Sequence, residues 1–99
     1  MALKFTWDPT KALDNFKKHG ITFDEATTAF RDKDAVFDQD KDHSDRGNLI
    51  GISDRLRALF IVHLEFDFDQ PDPTVRIISA RKATHTQRKR YEANLKRNR

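Results

Sequence analysis

Apolar residues recur at intervals of three and four in the first third of the chain, and this period predicts two short helices. The first begins at Asp8-Pro9, because Asp caps free amide groups and Pro fits the first helical turn. It ends near His19, since Gly20 supplies a left-handed stop. The second helix follows the capping-box pattern Thr22-Phe23-Asp24-Glu25. Its apolar stripe consists of Phe23, Ala26, Thr27 and Phe30.

The period changes toward two after Ala35, which predicts four strands over residues 35–37, 46–52, 57–66 and 74–80. Both faces of the third strand are partly apolar, so this strand is expected in the middle of the sheet. The connections between the strands are short and rich in turn residues, which favours antiparallel neighbours. Residues 82–97 predict a polar helix with a thin apolar stripe at Ala83, Tyr91 and Leu95. The expected order is a strand or arm, two helices, several strands and a last helix, which gives an α+β fold with three helices on an antiparallel sheet.

Length and composition limit the architecture and the environment. Ninety-nine residues fit one domain, expected to span 1–99, and eight Phe make a compact core feasible. The absence of cysteine removes disulfides and thiolate metal sites, and nothing requires an oxidising compartment. The start of the chain lacks a signal peptide's apolar run, and no stretch approaches the ~20 apolar residues of a membrane span. The cytoplasm is therefore the expected location.

Charge is distributed unevenly along the chain. Residues 81–99 hold eight Lys or Arg and one acid, a net of +7, so the total of +3 leaves −4 for the rest. A basic tail on an acidic body predicts contact with a polyanion or an acidic partner. A solvated helix face that only keeps the protein in solution explains the tail equally well.

Several kinds of site are excluded by spacing. Residues 38–42 resemble the start of a calcium loop, but the sixth and twelfth positions, which need Gly and Glu, are His43 and Leu49. The four histidines show no paired metal-ligand spacing, so no metal ion or other cofactor is predicted. No Gly-rich phosphate loop is present, and no serine lies in a recognisable nucleophile turn.

Arginines and histidine are concentrated in the half of the chain that predicts strands. RNA cleavage needs few protein groups, because the 2′-hydroxyl of the RNA is itself the nucleophile. The protein supplies groups that exchange protons and cations that stabilise the charged transition state. Each arginine alone is better explained by a salt bridge with a nearby Asp. The candidate catalytic residues are His43, Arg46, Arg57, Arg76 and Arg81.

An ordered set of short motifs resembles the BrnT family of ribonuclease toxins. Its first part is Phe5-Thr6-Trp7-Asp8-Pro9-Thr10-Lys11-Ala12, Asn15, and Lys18-His19-Gly20-Ile21-Thr22-Phe23-Asp24-Glu25-Ala26. It continues with Asp42-His43-Ser44, Arg46, Ile50-Gly51-Ile52-Ser53, Arg76-Ile77-Ile78-Ser79-Ala80-Arg81-Lys82-Ala83, Arg88 and Tyr91-Glu92. The resemblance spans nearly the whole chain. Two positions depart from the family pattern: Gln87 replaces a usual Glu, and Leu56-Arg57 replaces Gly-Arg.

The resemblance implies a RelE-like fold, RNA cleavage that stops translation, and a BrnA-like antitoxin partner that carries the DNA-binding part. In this hypothesis His43 exchanges protons, and the four candidate arginines hold the scissile phosphate. Lys82, Arg88, Lys89 and Tyr91 are expected to bind RNA, the cations at phosphates and the ring by stacking. His19 is interpreted as part of a helix stop, with a catalytic role as the alternative.

Two other interpretations remain open from the sequence. The chain is alternatively a non-catalytic module that binds nucleic acid or a partner through its basic helix. The basic tail alternatively serves the antitoxin contact, in which case RNA and antitoxin compete for one surface.

Overall fold

A computed structural model describes residues 3–64, 69 and 71–98. The helices are α1 (Pro9–His19), α2 (Phe23–Ala29) and α3 (His85–Arg97). The strands are β1 (Lys4–Thr6), β2 (Val36–Gln39), β3 (Arg46–Ile52), β4 (Ala58–Leu64) and β5 (Thr74–Lys82). The strands form one sheet in the order β1-β5-β4-β3-β2, so β4 is the middle strand, as predicted. The α+β class is confirmed.

The sheet separates two apolar clusters. On one face, α1 and α2 cover the larger cluster, in which Ile21 and Phe23 pack against the sheet residues Leu49, Leu59 and Ile61. On the other face, α3 covers a smaller cluster around Ile50, Ala83 and Tyr91. Within the described residues, no helix is long and apolar enough to cross a membrane.

The structure differs from the predicted strands at the edges of the sheet. β1 lies in the N-terminal segment, for which the sequence leaves a strand or an arm open, and it pairs with β5 in parallel, with Lys4 opposite Thr74, so the sheet is mixed. A strand of three residues is too short to show an alternating pattern, and its partner lies 70 residues away. The predicted third strand included residues 65–66, which lie outside the described residues. The last helix begins three residues later than predicted because Thr84 caps it and β5 continues to Lys82.

Local chemistry explains the bounds of α1. The Asp8 carboxylate accepts a hydrogen bond from the Thr10 amide at 2.8 Å, and Gly20 adopts φ 70° at the end of the helix. The α1 side chain that is buried is polar. Asn15 donates to the carbonyls of Ile21 at 3.0 Å and Ala80 at 2.8 Å, and accepts from the Ala80 amide at 3.0 Å. These bonds fix α1 to β5, whereas the apolar side chains of Leu13 and Phe16 stay half exposed.

The capping box predicted at α2 is only half formed. The Thr22 hydroxyl accepts from the Glu25 amide at 3.0 Å, as predicted. The Glu25 carboxylate instead binds Arg57 and Ser53, which lie on the β3–β4 connection. A complete capping box occurs at α3, where Thr84 and Gln87 each satisfy the other's backbone amide.

Polar contacts attach α3 to the α2–β2 connection. The Tyr91 hydroxyl donates to the Asp32 carboxylate at 2.6 Å, and the same oxygen accepts from the Ile52 amide at 2.8 Å. The Asn94 amide donates to the Asp34 carbonyl at 2.9 Å. Asp32 therefore connects α3, β3 and the chain that follows α2.

Candidate functional site

Three of the four candidate arginines lie on the sheet face that carries α3. The Arg81 guanidinium lies over the Phe60 ring, 4.6 Å from its centroid. Arg46 is paired with Leu64 and lies two residues from Asn48 and four from Ile50, so all of them share this face. Arg76 lies between Val75 and Ile77, whose side chains are buried on the opposite face. We call the surface formed by Arg46, Arg76 and Arg81 the arginine face.

A β-bulge brings Arg76 and Arg81 to the same face. The two residues are five apart, and regular alternation would place them on opposite faces. Against β4, however, Val62 pairs with Ser79 and His63 pairs with Ile77, which leaves one extra residue on β5. A one-residue bulge reverses the alternation beyond it. The bulge therefore places the guanidinium groups of Arg76 and Arg81 on the same side of the sheet.

The spacing on the arginine face follows from the strand register. Arg46 lies on β3 and Arg76 on β5, two strand spacings or about 10 Å apart in backbone position. Arg81 is displaced along β5, because its partner Phe60 is four residues from Leu64, which corresponds to ~13 Å. The long side chains of Arg46 and Arg76 can therefore converge on one phosphate, whereas Arg81 is placed for a neighbouring one.

The arginine face carries cations that the described residues do not neutralise. None of its three guanidinium groups lies within 4.0 Å of a carboxylate among these residues. The Nε of Arg46 is buried and makes no hydrogen bond in the described part of the chain. The salt bridges expected for a purely structural arginine are thus not observed at these positions.

Gln87 holds Arg81 in place. The Gln87 side-chain oxygen accepts from the Thr84 amide at 2.9 Å and from Nη1 of Arg81 at 3.2 Å. The carboxylate usual in the resembling family would accept the same two bonds. The departure at Gln87 therefore preserves the capping geometry and removes one negative charge from beside Arg81.

Arg57 is not brought to the arginine face. Its Nε donates to Glu25 Oε2 at 3.0 Å, and its Nη2 donates to the other carboxylate oxygen. Ser53 also donates to Glu25 Oε2, at 2.7 Å. The Arg57 hydrogen bond lowers the pKa of Glu25, and the same bond raises the pKa of Arg57. The pair joins α2 to the β3–β4 connection, so the structure favours a structural role for Arg57.

His43 lies in the β2–β3 connection, at the end of the sheet where Arg46 begins β3. Its carbonyl accepts from the Arg46 amide at 3.1 Å, which closes a tight turn. The Asp40 carboxylate accepts from the amides of Asp42 at 2.8 Å and His43 at 3.2 Å, and these bonds, the Asp42 bond above all, lower the pKa of Asp40. The imidazole Nδ1 lies 3.7 Å from Asp40, with half of the side chain exposed. The ring is therefore oriented and accessible.

The other histidines lie elsewhere. His63 is buried among Phe30 and Phe37, and its Nδ1 lies 2.9 Å from the Leu64 carbonyl, as expected for a core histidine. His19 ends α1 beside a 230 Å³ hollow, on the sheet face that α1 and α2 cover, which is opposite the arginine face. The structure does not bring either of them to His43.

Of the four residues expected to bind RNA, three are exposed and one is not. Lys82, Arg88 and Lys89 are exposed at the end of β5 and on α3. Tyr91 is 7% exposed and packs against Ile50, so its ring is not available for stacking on a base. Burial and the hydrogen bond to Asp32 raise the pKa of Tyr91. The expectation for Tyr91 is corrected, because the apolar stripe of α3 faces the sheet.

A cleft of about 590 Å³ adjoins the arginine face, between the sheet, the end of β2 and the first turns of α3. It is lined by Asp38, Gln39, Asp40, Lys41, Asn48, Ile50, Phe60, Thr86, Gln87 and Arg90. None of these residues is among the site residues that the sequence predicts. Strand alternation places Asn48 on the same face as Arg46, but the opposite wall comes from α3, which is distant in sequence.

Comparisons with known proteins bear on the family and the fold of the chain. The family model described as "Ribonuclease toxin, BrnT, of type II toxin-antitoxin system" matches residues 7–87. The structure is similar to the crystal structure of the Brucella abortus ribonuclease toxin BrnT, with a TM-score of 0.64 and 23% sequence identity. That match covers 85% of this chain and 100% of the Brucella chain, and it shows a common fold. No curated protein sequence matches the chain.

Proposed function

The chain belongs to the BrnT family of ribonuclease toxins of type II toxin-antitoxin systems, and on that premise we propose that it cleaves RNA on the arginine face without a metal ion. The family implies an RNA target and an antitoxin partner. One observation supports this location of the active site. Arg46, Arg76 and Arg81 have no carboxylate partner among the described residues, and they lie next to the turn that carries His43.

The proposed reaction uses the RNA's own hydroxyl. The 2′-oxygen forms a bond to the adjacent phosphorus while the bond from phosphorus to the 5′-oxygen breaks, giving a 2′,3′-cyclic phosphate and a 5′-hydroxyl. The proton lost by the 2′-oxygen is balanced by the proton gained by the 5′-oxygen. His43 transfers one of these protons, because its imidazole is accessible and an imidazole can act as a general acid or a general base.

The arginines have different jobs in this proposal. Arg46 and Arg76 bind the scissile phosphate and stabilise the negative charge that grows on its oxygens. Arg81 binds a neighbouring phosphate, and Lys82, Arg88 and Lys89 contact the backbone further out. Arg57 is left out, because Glu25 already engages its guanidinium.

We also propose that a BrnA-like antitoxin neutralises the toxin, that DNA is contacted only through that antitoxin, and that residues 1–99 act as one domain in the cytoplasm. In this proposal the basic surface of α3 binds both RNA and the antitoxin. In this proposal the two ligands compete for it, since both are attracted by the same charge.

Cleavage in the presence of a chelator tests the chemistry. Purified protein is expected to cut an end-labelled RNA equally well with and without EDTA, because the nucleophile and the cations come from RNA and protein. The products are expected to carry 2′,3′-cyclic phosphate and 5′-hydroxyl ends. Activity that disappears in EDTA and returns with a divalent ion would contradict the proposal, as would products with 5′-phosphate ends.

A further inference from the structure

The cleft beside the arginine face has features that suit an uncharged, planar group. Its floor consists of Asn48, Ile50 and Phe60, and its α3 wall is formed by Thr86, Gln87 and Arg90. The volume of about 590 Å³ falls within the usual range for sites that bind small molecules. Apolar floor residues and uncharged amide groups are typical of surfaces that bind a nucleobase.

The charges that line the cleft balance one another, so the cleft attracts a phosphate less than the arginine face does. Asp38 and Arg90 form an ion pair across it, with Nη2 of Arg90 2.7 Å from Asp38 Oδ1, so the Arg90 charge is already compensated. The Asp40 carboxylate lies on the same wall as Asp38 and stays ionised at neutral pH, because backbone amides donate to it. With Lys41 and Arg90 opposing Asp38 and Asp40, the charges of the lining sum to zero, whereas the arginine face next to the cleft is positive and attracts a phosphate.

Asn48 is the floor residue that can read a ligand. Its side chain is half-buried, faces the cleft and makes no hydrogen bond within the described residues. A carboxamide offers donors and an acceptor together, so it can bind two adjacent groups on the edge of a base. The Gln87 amide adds a donor, since its oxygen is already used by Thr84 and Arg81.

Arg81 lies between the cleft and the part of the arginine face that is proposed to bind the scissile phosphate. It lies on Phe60, which forms the cleft floor, and it bonds to Gln87, which forms the wall. A phosphate held by Arg81 is therefore at the mouth of the cleft. The base attached to that phosphate is the nearest part of the RNA that can enter.

We propose that the cleft binds one unpaired nucleobase next to the cleavage position, and that Asn48 determines which base is preferred there. This inference rests on the proposed ribonuclease function. It adds to that function a specificity-determining residue and a pocket for a base, separate from the residues that carry the chemistry.

Base preference can be measured apart from cleavage rate. Wild-type protein is incubated with a pool of short RNAs randomised around the cleavage position, and the product ends are sequenced. We expect one position to show a preference of about tenfold or more, which corresponds to one good pair of hydrogen bonds. Asn48→Ala should reduce this preference to near unity, and Asn48→Asp should change the preferred base, because the amide donor is lost.

Two controls make the outcome decisive. Asn98→Ala removes an amide at the far end of α3, outside the cleft, and should leave the preference unchanged. Arg76→Ala should lower the rate and keep the preference. Wild-type cleavage without positional preference, or a preference that survives Asn48→Ala, overturns the inference and leaves the ribonuclease function intact. A wild-type protein that cuts no RNA contradicts both the base-binding inference and the proposed ribonuclease function.

Binding supplies a readout that does not depend on cleavage. A short RNA that carries a 2′-deoxy sugar at the cleavage position cannot react, and ¹⁵N-labelled wild-type protein is titrated with it. The side-chain amide signals of Asn48 should shift with the preferred base and shift less with the other three. Equal shifts with all four bases, or no shift at all, would contradict base recognition in the cleft.

Discussion

Replacing Arg76 by Ala separates chemistry from folding, because Arg76 is exposed and has no carboxylate within 4.0 Å among the described residues. Its removal leaves no buried partner uncompensated, so the change in unfolding free energy should stay within ~0.5 kcal/mol. Loss of a group that stabilises transition-state charge typically costs a factor of ~10²–10³ in rate, or ~3–4 kcal/mol. RNA affinity should change little in comparison.

Lys89→Ala provides the matched comparison on α3. Lys89 is exposed, and the proposal assigns it a phosphate contact away from the reaction. This variant should bind RNA modestly more weakly, with the salt dependence reduced by about one unit of slope, and should cut at the normal rate when RNA is saturating. Melting temperature, affinity and single-turnover rate are measured on both variants and on wild type.

The three measurements distinguish the possible roles of Arg76. Normal melting and normal affinity with a rate reduced a hundredfold support the proposed role. A melting temperature that falls in parallel with activity would indicate that Arg76 stabilises the fold. An Arg76→Ala protein that melts normally and cuts at full rate would remove Arg76 from the site and refute the assignment of the arginine face.

Two further predictions concern the opposite face of the sheet. The pKa of Glu25 is lowered in the folded state, so its ionised form stabilises the fold above the ordinary pKa of 4.5, and this contribution is lost as the pH falls through the lowered value. The melting temperature of the wild-type protein should therefore fall on acidification below pH 4.5, and the fall should be smaller for Glu25→Gln. Identical pH profiles of the two proteins would contradict the role of the Glu25–Arg57 pair. Asn15→Ala leaves three buried backbone groups without their hydrogen-bond partner, and each costs ~1 kcal/mol or more of unfolding free energy, so the melting temperature should fall by more than ~10 °C. The control Leu13→Ala, on the exposed side of α1, should change the melting temperature little. Similar melting of the two variants would contradict the role of Asn15.

Features set by neighbouring residues were predictable from the sequence. The start of α1 at Asp8-Pro9 and its end at Gly20 depend on hydrogen bonds and backbone geometry within a few residues. The middle position of β4 followed from apolar side chains on both of its faces. These elements were predicted correctly because the information lies within the segment itself.

Features set by distant partners were not predictable. Glu25 fits a capping box in sequence, but its carboxylate binds Arg57, 32 residues away. Tyr91 was expected to stack on RNA, yet its hydroxyl meets Asp32, 59 residues away. The bulge on β5 is defined only by its register with β4, so no reading of the strand alone places Arg76 and Arg81 together. The roles of the individual residues in the candidate site also depend on distant partners, so they stay predictions.

The two faces of the sheet have different roles, and this explains how a small domain can carry three arginines without carboxylate partners among the described residues. The bonds of Asn15 and Glu25 hold α1 and α2 on the opposite face of the sheet and do not involve the three arginines of the arginine face. Two like charges in water repel by only ~0.4 kcal/mol at ~10 Å and by ~1 kcal/mol at ~4 Å, which is small beside the 5–15 kcal/mol that stabilises a typical domain. Placing three such cations on one face therefore costs little in folding. It leaves three guanidinium groups that can bind phosphate, because no described carboxylate lies within 4.0 Å of them.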